Sequence, residues 1–157
     1  MKESLWLQAA SLPITVSEEI VGGFDVGFDP EVPEEVKDLI MDFAYWVEDR
    51  YAMPVTLWVD CLHKHWLLDE KRRPVGYKFY WADFDSYPVF ENFDDLPVIE
   101  LPVRLEKWTE EELLCSFVQA VSHYFAWLNR KDMESYTPDE EETEAILQAY
   151  LGGRHEG

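Results

Sequence analysis

Gln119 and His123 lie four residues apart in a stretch of helical periodicity, so both side chains project from one face of a helix. In an HExxH helix two imidazoles at this spacing hold Zn²⁺, and the glutamate after the first activates the metal-bound water. Here Gln119 stands at the first imidazole position and Ala120 at the glutamate position. An amide oxygen is a poor zinc ligand beside imidazole, and an alanine accepts no proton from water. A lone histidine also falls short of the three protein ligands of a catalytic zinc site. No zinc peptidase activity by the usual route is expected, and His123 reads first as a histidine hydrogen-bonded inside a helix-helix contact.

Other groups with chemical potential are weaker. His63 and His65 alternate after an apparent strand and share a face with Cys61, so a metal shared with Cys61 or with an approaching His123 is one reading. Two ordinary exposed histidines beside a charged turn is the other. Asp139-Glu140-Glu141-Glu142 with Glu144 lacks the Asp-x-Asp-x-Asp-Gly spacing of a calcium loop and reads as a solvated helix start. Lys71-Arg72-Arg73, flanked by Asp69 and Glu70, reads as a turn rather than a phosphate site. No GxSxG, P-loop or GxGxxG sequence occurs, and Gly22-Gly23 precedes no helix that would cradle a phosphate. Trp46, Trp66, Trp108 and Trp127 fall off the main apolar stripes, where aromatics line a groove or complete a small core.

The elements that must position these residues follow from periodicity. Residues 11–28 read as a short strand or hairpin, with Phe24, Val26 and Phe28 alternating around Asp25 and Gly27. Pro33-Glu34-Glu35 opens a helix whose apolar stripe is Val36, Leu39, Ile40, Phe43, Val47 and Tyr51, ending before Pro54. From Val55 the period becomes two, and a turn at residues 69–74 leads to Tyr77, Phe79 and Trp81, which predicts a β-hairpin over 55–82. Pro97 and Pro102 bracket a further short strand and favour an edge position. Thr109-Glu110-Glu111-Glu112 is a capping box for a long helix with stripe Leu114, Phe117, Val118, Val121, Phe125 and Leu128, stopping near residues 129–131. Thr137-Pro138-Asp139-Glu140 repeats the logic with threonine as cap, and the last helix runs to Gly152-Gly153. The order is α+β, with a small mixed or antiparallel sheet packed against three helices.

The segment Ser122-His123-Tyr124-Phe125-Ala126-Trp127-Leu128-Asn129 resembles the second half of the motif of small bacterial zincin-like metallopeptidases, whose helix reads approximately HExxHYxxWLN. The order along the chain is similar too: a leading helix, paired strands, a short strand at Leu96-Pro97-Val98-Ile99-Glu100-Leu101, the motif helix, then a second helix that bears a glutamate ligand. Glu144, twenty-one residues after His123, resembles that ligand in position, with Glu140 and Glu141 as nearby competitors. The resemblance spans 33–151 and implies a zincin-like core, a vestigial site at Gln119, Ala120, His123 and Glu144, no bound zinc, and a function exercised by binding.

Composition bounds the remaining possibilities. A chain of 157 residues, 47% hydrophobic and 15% aromatic, suits one domain over 1–157, which at that size buries roughly 68–70% of its unfolded surface. Within it, 1–32 reads as an N-terminal strand region and 152–157 as a flexible tail. Thirteen basic against thirty-three acidic residues give a formal charge of −20, which disfavours direct contact with nucleic acid or anionic lipid and suits a basic protein partner. An immunity-type or inhibitor protein that covers a basic enzyme surface is therefore the alternative function. Two cysteines without CxxC spacing, no signal-peptide pattern at the N-terminus and no run of eighteen apolar residues lead to a cytoplasmic expectation.

Overall fold

The computed structural model describes residues 5–8, 22–83, 95–104, 109–129, 131 and 135–156. Its elements are α1 (Leu5–Gln8), β1 (Phe24–Phe28), α2 (Glu34–Arg50), β2 (Leu57–Leu62), β3 (Leu67–Leu68), β4 (Pro74–Val75), β5 (Lys78–Asp83), β6 (Asp95–Pro102), α3 (Glu110–Leu128) and α4 (Glu140–Glu156). The class is α+β: a mixed four-stranded sheet in the order β1-β2-β6-β5, a separate two-stranded ribbon of β3 and β4, and three long helices.

β1, β2 and β6 run parallel, and β5 joins β6 antiparallel. The alternation read from Val55 onward does place Leu57, Val59 and Cys61 on one buried face, but the strands it predicts are not hairpin partners. β6 lies between β2 and β5. The polar turn closes only the short ribbon, where the Asp69 carboxylate accepts from the amides of Lys71 and Arg73 and from Arg73 Nε at 2.9 Å. Local turn chemistry is thus satisfied without setting the pairing of the long strands.

Pro97 and Pro102 do not place β6 at an edge. β6 pairs with β5 over 95–100 and with β2 over 98–102, so Pro97 has only β5 beside it and Pro102 only β2. A residue without an N–H is tolerated where one side of the strand is unpaired, and each proline occupies such a place. Gly22 and Gly23 have a backbone role. A Cβ on Gly22 would stand 1.8 Å from the Met53 carbonyl oxygen, and Gly23 adopts φ +94 while its amide bonds that same oxygen at 3.1 Å. Glycine lets the chain entering β1 run against residues 53–57.

The core lies between the face carrying Leu57, Val59, Cys61, Ile99 and Leu101 and the helices α2 and α3, which meet through Phe43 and Phe117 at 5.1 Å between ring centroids. On the opposite face Asp25, Asp60 and Tyr80 are exposed. Tyr124 ties α3 to the segment before β2, its phenol donating to the Val55 carbonyl and accepting from the Val55 amide. The stripe of α2 is buried as its spacing predicts. α4 departs at both ends: its cap is Asp139, whose carboxylate accepts from the Glu142 amide at 3.0 Å, and the helix continues through Gly152 and Gly153 to Glu156. Asp outcompetes the upstream Thr because a side chain caps the amide three residues on. A Cβ on Gly153 would lie 4.0 Å from the Trp46 indole nitrogen, so the helix end rests against α2 instead of fraying at 152. The expected pairing within 11–21 and Trp108 lie outside the described residues.

Candidate functional site

α3 begins where the capping box predicts. The Glu112 amide donates to Thr109 Oγ1 at 3.0 Å and the Thr109 amide to Glu112 Oε1 at 3.3 Å. From Leu113 to Leu128 this helix is buried on nearly every side, by the sheet, α1 and α4. Cys115, Gln119 and His123 alone in that span are half-exposed. They stand at successive four-residue steps, so they form one line along the helix. An otherwise buried helix with one open, polar line is the feature from which a site can be built.

His123 closes one end of the line. Its Nε2 and the Tyr77 hydroxyl share a hydrogen bond of 2.9 Å, in which the donor follows from the imidazole tautomer. The Phe79 ring stacks on the imidazole at 5.8 Å and 22°, and Tyr136 meets it edge-on at 5.1 Å and 85°. Phe79 arrives because it sits on the core face of β5 opposite Ile99, and Tyr77 because it immediately precedes that strand. Burial pulls the His123 pKa down to about 4, which leaves the ring neutral near pH 7. Burial first, then the neighbouring Tyr136 and Cys115, pushes the Tyr77 phenol up to about 12. Burial likewise raises Tyr136 to about 12, with Glu142 adding to it. Groups this far from neutrality exchange few protons there, so the cluster is suited to hydrogen bonding and ring contact rather than acid–base catalysis.

Cys115 closes the other end. Its thiol pKa is raised by burial and then by the carboxylates of Glu144 and Glu111, so it remains a protonated and unreactive thiol. Glu144 is exposed on α4 and accepts from the Gln148 amide nitrogen at 2.9 Å. α4 does pack on α3, but the Glu144 carboxylate is bonded by Gln148 and its charge is felt at Cys115, a residue roughly 12 Å along the helix from His123 at 1.5 Å per residue. Of the four positions singled out by sequence, Gln119 and His123 share the open line, Glu144 lies toward its far end, and Ala120 is 0% exposed in the core. These residues do not fit a zinc ion: the amide is a weak donor, His123 Nε2 is engaged by Tyr77, and the carboxylate is displaced. Among the described residues no three of His, Cys, Asp and Glu are grouped to hold a metal.

His63 and His65 fall in the bend after β2, so strand alternation does not align them, and both are half-buried rather than exposed. The His63 amide donates to Asp29 Oδ2 at 2.9 Å, and burial drives the Cys61 thiol up to about 12, against metal ligation. Trp127 is core, Trp46 stacks on Phe43 at 5.9 Å beneath the Arg50 guanidinium, and Trp66 is exposed. The rings around His123 are instead Tyr77, Phe79 and Tyr136, which spacing did not mark: Tyr77 is 46 positions from His123, and only the sheet order brings it there.

No helix among the described residues is long and apolar enough to cross a membrane. No protein-family model matches the chain, and no curated protein and no solved structure matches it either.

Proposed function

We propose that this chain is a zincin-like domain without peptidase catalysis that works by binding a polypeptide segment along the open line of α3 beside strand β5. The observation that carries it is the Cys115-Gln119-His123 line on an otherwise buried helix, with Gln119 and His123 at the positions where the resembling family has its histidine pair. Among the described strands β5 ends the sheet order on that side, and an edge strand offers backbone groups to an extended partner. The helix order and the packing of α4 on α3 support the same reading.

Protein purified without chelator or tag-borne metal is expected to contain no stoichiometric zinc and to cleave no peptide. Gln119→His combined with Tyr77→Phe, which releases His123 Nε2, is expected to bind zinc supplied in excess through the two imidazoles alone, and to lose it on dialysis because no third protein ligand is at hand. Native zinc together with cleavage would overturn the non-catalytic reading. Failure of the double variant to bind zinc would remove the support that the helical resemblance gives.

A second reading, an acidic interaction protein that covers a basic surface, is favoured by where the carboxylates lie. Glu34, Glu35, Asp38, Asp42, Glu48 and Asp49 are exposed on α2, and Glu140, Glu141 and Glu144 on α4. The two helices are neighbours, joined by the Tyr150 phenol donating to Asp42. Association with such a partner is expected to slow by about tenfold or more between low and physiological salt. A salt-independent rate, or recovery of no basic partner at low salt, would count against it.

A further inference from the structure

The three parallel strands finish at one edge of the sheet, β1 at Phe28, β2 at Leu62 and β6 at Pro102. Their continuations are tied together there. The Asp29 amide donates to the Cys61 carbonyl at 3.0 Å, the His63 amide to Asp29 Oδ2 at 2.9 Å, and the Val103 amide to the Leu62 carbonyl at 2.9 Å. Beyond the carboxyl ends of parallel strands the chain turns away into helices, and the crevice left between is where open sheets of this kind bind ligands. Such a crevice is present. A cavity of about 340 Å³ opens between Pro33, Glu35 and Val36 at the start of α2, Glu110 at the start of α3, and His63 and Val103 beyond β2 and β6. It is remote from the imidazole cluster, since Glu110 and His123 lie about 20 Å apart along α3 at 1.5 Å per residue.

The polar groups around this cavity are mainly acceptors. Glu35 and Glu110 bring carboxylates from two different helices. His63 brings an imidazole whose Nδ1 is buried and has no hydrogen-bond partner among the described residues. Leaving a buried nitrogen unpaired is costly, and it marks a group whose partner comes from outside the fold. Arg104 is the cation on the wall, so two carboxylates face one guanidinium, and the −20 charge of the chain draws cations toward its surface. Val36 and Val103 supply buried apolar surface between these groups. A metal ion does not suit the cavity, because among the described residues no three of His, Cys, Asp and Glu are grouped to hold one. A cation with an aliphatic stem does: its methylenes cover the valines, and an ammonium has three protons for two carboxylates and one imidazole nitrogen.

We propose that this cavity is a binding site for an alkylammonium group, carried either by a lysine side chain or by a free aliphatic diamine. The ammonium sits between Glu35 and Glu110 with its stem along Val36 and Val103. The His63 ring, in its Nε2–H tautomer, turns about Cβ–Cγ to offer Nδ1 as the third acceptor. The site is separate from the α3 line and stands whether or not the zincin-like reading does.

The test uses full-length protein at low salt and ¹H–¹⁵N NMR titration with three probes: Nα-acetyl-lysine N-methylamide, 1,4-diaminobutane, and uncharged Nα-acetyl-norleucine N-methylamide. Saturable shifts are expected at the amides of Glu35, Val36, His63, Val103 and Glu110 with an ammonium-bearing probe and not with the norleucine derivative. Glu35→Gln, Glu110→Gln and His63→Phe are each expected to weaken that binding by about threefold or more. Glu140→Gln, which removes the same charge on α4 outside the cavity, is expected to leave it unchanged. Tighter binding of the lysine derivative assigns the site to a lysine of a polypeptide, and tighter binding of the diamine assigns it to a free amine. Equal binding of norleucine would overturn the proposal in favour of an apolar slot. Shifts that spread over the acidic helices without saturating, or a loss in Glu140→Gln as large as in Glu35→Gln, would reduce it to counterion attraction. An affinity unchanged in all three cavity variants would overturn it outright.

Discussion

Ala120→Glu is expected to destabilise the protein by at least about 3 kcal/mol, whereas Gln119→His, one residue earlier, is expected to cost less than about 1 kcal/mol. Ala120 is 0% exposed within the core cluster, so the longer side chain must displace packed neighbours and carry a carboxyl group out of water. Gln119 already lies on the half-exposed line of α3, where an imidazole of similar reach keeps contact with solvent. Urea unfolding of the two single variants measures the difference directly. An Ala120→Glu variant as stable as wild type, with an unchanged denaturant slope, would mean that position 120 opens onto space rather than core. On the zincin-like reading, the position of the proton-accepting glutamate has been absorbed into the hydrophobic interior. Restoring catalysis would then require rebuilding the packing, not only the ligands.

Phe117→Ala is expected to cost about 3–5 kcal/mol, the range for removing a fully buried aromatic ring. Phe117 is 0% exposed and is the point where three elements meet, its ring lying 5.7 Å from Phe24 of β1 and 5.1 Å from Phe43 of α2. No single neighbour can fill the cavity, because each is fixed in a different element. Thermal or urea unfolding checks it. A loss of less than about 1 kcal/mol would show that the three elements close around the gap and that the core is softer than its burial suggests.

What the sequence disclosed and what it hid divide along the range of the interactions. The start of α3 was legible because a capping box acts within four residues, and the stripe of α2 because helical period sorts buried from exposed. The strand pairing was not legible. Alternation fixes which face of β2 is buried but carries no mark of which neighbour stands beside it, so a turn at 69–74 read as a hairpin while β6 lay between the two strands. The prolines of β6 misled for the same reason, since their tolerance depends on how far each neighbour extends. Gln119 and His123 were found by their spacing, but the partners that give His123 its character come from β5, from the residue before it and from the loop before α4.

The place of β6 in the sheet also sets an order on the ribosome. β1 and β2 are both made before the rest of the sheet and are free to pair side by side, but β5 has no strand to join until residues 95–102 have been made, because its only partner among the described strands is β6. Until then β2 presents an unpaired edge to the rest of the nascent chain, and the seat for α3 is half built. The sheet closes only when its last strand is inserted into its middle, so this domain completes late in its own synthesis, and a chain halted before Asp95 carries two strand edges waiting for the same missing piece.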